Sequence, residues 1–129
     1  MIRLALVAAI ALAWSQPSHA YRLPWCGFYM MHLFGKTERR LALAREWAKE
    51  GVDAHGPGAG VIVVWPHHVG LIVGRAVDGR WLVHSGNDGN RVRTRPRWLD
   101  KVIAYRRVAP EKGGATCKVT VVANCLLIR

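Results

Sequence analysis

The sequence predicts an α+β protein in which N-terminal helices pack on an antiparallel β-sheet. Apolar residues recur at helical spacing between residues 25 and 51, and short β-rich apolar runs follow one another from residue 61 to residue 108. Gly, Pro and Asp residues separate those runs at hairpin-like intervals. Helices first and strands afterwards is the α+β order; strict alternation would have indicated a parallel sheet. At 129 residues the chain is sized for one domain, large enough to bury a core without metals or many disulfides.

Taken in order, the chain begins with Met1-Ile2-Arg3, an eleven-residue apolar run "LALVAAIALAW", and small residues at Ser18 and Ala20. This is the order of a signal peptide, and the run is shorter than the roughly 20 residues a membrane-spanning helix needs. We therefore expect cleavage near Ala20, a secreted or periplasmic mature chain with no transmembrane segment, a domain over residues 21–109 and an extension over 110–129. Next, "WCGFYMMHLF" predicts a short buried helix over 25–34, with Pro24 near its first turn and Gly35 closing it. "TERRLALAREWAKEG" (37–51) predicts a second helix with Thr37 as N-cap and Gly51 just past its end. Leu41, Ala44, Trp47 and Ala48 form its apolar face. "HGPGAG" (55–60) is a loop. "VIVVW", "HVGLIVG", "RWLVHSG", "NRVRTR" and "KVIAYRRV" read as strands broken by Pro66, Asp78-Gly79, Asp88-Gly89 and Pro96. "APEKGGATC" leads to a final hairpin around "KVTVVAN".

Composition narrows the partners. Nineteen Lys and Arg against eight Asp and Glu give a formal charge of +11, which calls for an anionic partner such as wall polymer, anionic lipid or nucleic acid. The absence of a recognition-helix pattern and of zinc-type CxxC spacing argues against specific base readout. Of the three cysteines, Cys117 and Cys125 flank the final hairpin and are expected to pair, which leaves Cys26 as a free thiol.

A free thiol in an exported chain directs attention to nucleophilic chemistry. That chemistry needs a thiolate, an imidazole to generate it and a polar group to hold the imidazole. Cys26 opens the first helix, where unpaired N–H groups favour negative charge. His68 shares a strand face with Gly70 and Ile72, and Gly70 is expected to leave open space beside the imidazole; His67 faces the other way. His84 is a second candidate, while His32 and His55 look incidental. Asn87, Asp88 and Asn90 lie at the end of the following strand and could supply the orienting group, although Asn-Asp-Gly is also a favoured turn.

"WCGFY", "HHVGLIVG", "HSGNDGN" and "IAYRR", in that order, resemble the motif layout of the NlpC/CHAP-type papain-like hydrolases, the small bacterial peptidoglycan hydrolases. "LAREWAKEG" and "GPGAGVIVVW" resemble that group's second helix and its entry to the first strand. The resemblance covers about residues 25–107. It implies a papain-like fold and a Cys-His-Asn triad of Cys26 as nucleophile, His68 as general base and Asn87 as orienter. It further implies cleavage of amide bonds in peptidoglycan, as endopeptidase or amidase, through a thioester and without metal or other cofactor. Where the family opens its first strand with Gly-Asp, this chain has Ala59-Gly60. Only five residues of the expected mature chain precede Cys26, so an upstream oxyanion donor is limited to Tyr21 or Arg22. The alternative is therefore a wall-binding domain with weak or absent turnover.

Between residues 91 and 107 there are seven Lys and Arg against one Asp. Arg91, Arg93, Arg95 and Arg97 alternate, so they would share one face of a strand. This is either a docking stripe for peptidoglycan or another anionic cell-wall polymer, or a solvated edge strand kept from pairing by its charge. Trp81 and Trp98 are expected to pack in the core rather than stack on sugar rings.

Overall fold

The computed structural model describes residues 24–111, which form a small α+β unit with a six-stranded antiparallel sheet. The expected signal segment and the Cys117–Cys125 hairpin lie outside the described residues. Helix α1 spans Cys26–Phe34 and ends at Gly35, whose left-handed φ of 68° lets its N–H close the last turn onto His32 O. The strands are β1 (Val52–Asp53), β2 (Ile62–Val64), β3 (Val69–Arg75), β4 (Trp81–Ser85), β5 (Arg93–Arg97) and β6 (Ala104–Arg107). Their spatial order is β1-β6-β2-β3-β4-β5. The five anticipated strand runs each overlap one of β2 to β6, with β3 and β5 running on to Arg75 and Arg97; β1, only two residues long, gave no sequence signal.

Strand alternation divides the core into two layers. Ile62, Val64, Val69 and Leu71 face α1 and pack with Cys26, Met30, Leu33, Phe34, Leu41 and Trp47. Val61, Val63, Ile72 and Val83 face the opposite side, beneath Trp65, Trp81, Leu99, Val102 and Tyr105. The β3–β4 hairpin turns through "VDGR", where Gly79 takes φ 85° and the Ala76 N–H donates to Arg80 O at 2.8 Å. No helix of the described residues is long and apolar enough to cross a membrane.

Three expectations are corrected. Residues 37–51 do not form one α-helix with Thr37 as its cap. They form two 3₁₀ segments, Arg39–Ala42 and Ala44–Lys49, joined at Leu43, which is extended (φ −86°, ψ 122°). The carbonyls an α-helix would use are engaged elsewhere. Trp47 Nε1 donates to Leu41 O at 2.8 Å, and Gly27 of α1 presses on the carbonyls of Leu41 and Ala42 more closely than any Cβ could. Burial of Trp47 thus overrides helix propensity, although Leu41, Ala44 and Trp47 remain the buried face. Pro96 does not end a strand; it lies inside β5, which tolerates it because β5 is an edge. Trp98 is 64 % exposed rather than packed, whereas Trp81 is half-buried with Arg75 above its ring at 4.3 Å.

Candidate functional site

The candidate site lies where the first turn of α1 meets the start of β3 and the end of β4. Gly86 makes that approach possible: a Cβ there would stand 2.5 Å from Tyr29 Cβ and 2.7 Å from Trp25 Cζ3. Trp25 and Tyr29 pack edge to face over it, with ring centroids 6.5 Å apart. Trp25 Nε1 also reaches Asn90 Oδ1 at 3.3 Å. Tyr29 is held further by a partly buried polar chain. Its hydroxyl is 2.6 Å from His84 Nε2, and His84 Nδ1 is 2.8 Å from Thr94 Oγ1 on β5.

This seating puts the Cys26 thiol, 1 % exposed, against the backbone on either side of His68. Sγ donates to His67 O at 3.9 Å. Burial pushes the thiol pKa up, and the backbone N–H groups of Val69, Gly27 and Cys26 itself pull against that rise. Cys26 and Gly27 supply the free N–H groups at the start of α1, and Val69 follows His68. The sulfur therefore sits where three main-chain donors would stabilise a negative charge on it.

His68 is half-buried, and its ring is 5.9 Å from that of Trp65. Nε2 is 3.0 Å from Ser85 Oγ. Burial and then the charge of Arg97 lower its pKa, with Asp88 acting the other way. Gly70 does not leave open space beside the imidazole. A Cβ on it would stand 2.6 Å from Val83 Cγ1 and 3.1 Å from Ser85 Cβ, so the gap is filled by the side chain that holds His68. The thiol meets the backbone of the segment that bears His68, while the imidazole lies with Trp65 and Ser85, and among the described residues no hydrogen bond joins the two groups. Burial thus favours the neutral form of both the thiol and the imidazole.

Asn87 falls level with His68 when the Leu71–His84 register is continued by three residues. Pairing stops before that point, and a φ of 53° turns the backbone at Asn87 out of the strand. No side-chain hydrogen bond from Asn87 is formed within the described residues; Ser85 takes the place beside Nε2 that Asn87 was expected to fill. Reading the sequence missed Ser85 because its role depends on the β3–β4 register, although His68, Gly70 and Ser85 sharing one face would have revealed it once that register was known. His67, His32 and His55 are exposed. No group of three His, Cys, Asp or Glu among the described residues is placed to hold a metal ion.

Comparison with protein-family models, with curated proteins and with solved structures finds no match to this chain.

Proposed function

We propose that the chain is an exported cysteine hydrolase that cleaves amide bonds in peptidoglycan through a Cys26 thioester. The observation that carries the reading is the place of the Cys26 sulfur, at the start of α1 and in contact with the backbone of the segment that bears His68. For reaction, Sγ exchanges the His67 carbonyl for the free nitrogen of His68, which takes its proton. The thiolate attacks the substrate carbonyl, and the Cys26 and Gly27 N–H groups face the developing oxyanion. Breakdown releases the amine, which receives the proton from His68, and water activated by the same imidazole then hydrolyses the thioester. Ser85 holds the imidazole in the role that the family resemblance gives to Asn87. Catalytic hydrogen bonds are often incomplete before substrate binds, which accommodates the separate thiol and imidazole.

The test is digestion of purified peptidoglycan together with thiol titration. Cys26→Ser and His68→Ala should each abolish fragment release, and His68→Ala should shift the pH dependence of Cys26 alkylation. Full lysis by either variant would overturn the assignment.

A second reading is favoured by the burial of Cys26 and the engagement of His68 by Ser85. The domain would hold the wall through its basic surface without turnover. In that case the wild-type protein releases no fragments, and Cys26→Ala binds sacculi as well as wild type does.

A further inference from the structure

We propose that Arg95 and Arg97, clamped by the buried Asp88, form a subsite for a peptide carboxylate on the sheet face that carries Ser85 and His68. That such a peptide is also the substrate rests on the hydrolase reading; the binding site stands on its own geometry. Asp88 is 5 % exposed and fixed in the turn after β4, where its N–H donates to Arg91 O at 2.9 Å. Oδ1 lies 3.2 Å from Arg95 Nη1, and Oδ2 lies 2.8 Å from Arg97 Nη2. One carboxylate thus faces two guanidinium groups, leaving a surplus positive charge.

The pair lies on the side of the sheet where His68 rests against Ser85. Arg97 pairs with Trp81, Arg95 with Val83 and Arg93 with Ser85, so these arginines share the sheet face of the serine that holds His68. The Arg97 charge is felt at His68. The side chains of Arg95 and Arg97 are 51 % and 32 % exposed, and each guanidinium has five donors, most of them unused by Asp88. Arg97 Nε is buried without a hydrogen-bond partner, and its Nη2 meets Asp88 Oδ2 off the line of a hydrogen bond. Turning this guanidinium toward an incoming anion therefore sacrifices no hydrogen bond at Nε. The planar fork matches a carboxylate in two-point contact. Because Asp88 already orders the arginines, little side-chain freedom is lost on binding.

Two short peptides, identical except for a free carboxylate or a carboxamide at the end, test the proposal on the full chain carrying Cys26→Ala, which prevents turnover. Affinity and the imidazole resonances of His68 are followed by NMR. The carboxylate form should bind about tenfold or more tightly than the carboxamide, the range for a hydrogen-bonded charged group. Its binding should move the His68 signals. Arg97→Gln and Arg97→Lys should each shrink the preference, Lys because it keeps the charge but loses the fork. Equal affinity for the two peptides, or inorganic phosphate displacing the carboxylate peptide at lower concentration than the peptide itself requires, would refute the subsite. The two-peptide comparison needs no arginine variant and so stands if one fails to fold. If fragment release from peptidoglycan fails while the carboxylate preference holds, the hydrolase reading falls and the subsite remains.

Discussion

Removing one oxygen, in Tyr29→Phe, measures how far the polar chain through His84 anchors the helix that carries Cys26. The ring stays in place against Trp25 and Gly86, so packing is kept and only the hydroxyl is lost. That hydroxyl is 2.6 Å from Nε2 of His84, a residue 9 % exposed. Its loss leaves a buried ring nitrogen without a partner, which costs about 1–3 kcal/mol. Tyr29 is itself only half-buried, so water has partial access and the lower half of that range applies. For a domain of this size the expected fall in Tm is about 4–8 °C per kcal/mol. Urea denaturation should show a lower midpoint with an unchanged m-value. A double-mutant cycle with His84→Leu should give a coupling of about 1 kcal/mol, because each single change breaks the same bond. Zero coupling, or a midpoint equal to that of wild type, would refute the anchoring role.

Three further outcomes are expected. The imidazoles of His68 and His84 both titrate below the ordinary value, chiefly through burial. The unfolded chain then binds more protons than the folded one as pH drops below about 6.5, so stability should hold above that pH and decline beneath it; thermal melts from pH 7.5 to 5 with no decline would contradict this. Gly86→Ala forces a Cβ into Tyr29 and Trp25, and overpacking of this kind costs about 1–3 kcal/mol. It should also raise the rate of Cys26 alkylation by lifting the first turn of α1; an unchanged rate would mean that Gly86 does not seat the helix. Trp47→Ala removes a fully buried indole and its bond to Leu41 O. A cost of about 3–5 kcal/mol should leave little folded protein, visible as loss of the near-ultraviolet circular dichroism signal.

The reach of the sequence differs from element to element. Strand runs rich in Val and Ile, the "VDGR" turn and the helix closed by Gly35 were legible because each depends on residues close together in the chain. The apolar face of 37–51 was legible for the same reason. Its conformation was not, because the break at Leu43 comes from Trp47 and Gly27 competing for the carbonyls of Leu41 and Ala42. Trp98 was misplaced because hydrophobicity alone does not say which indole the core has room for.

The site divides along the same line. Cys26 at a helix start and His68 at a strand start are local features, and the sequence by itself determined both, together with the α+β order and the strong positive charge. Only the tertiary structure decided that Ser85 rather than Asn87 meets His68, that Tyr29, His84 and Thr94 form one hydrogen-bonded chain, and that Asp88 gathers Arg95 and Arg97. Those contacts join residues on different strands and on α1, so they depend on the register between strands and on how closely the helix rests on the sheet. Register is fixed by the sum of many side-chain packings across both core layers, and no single stretch of sequence contains it.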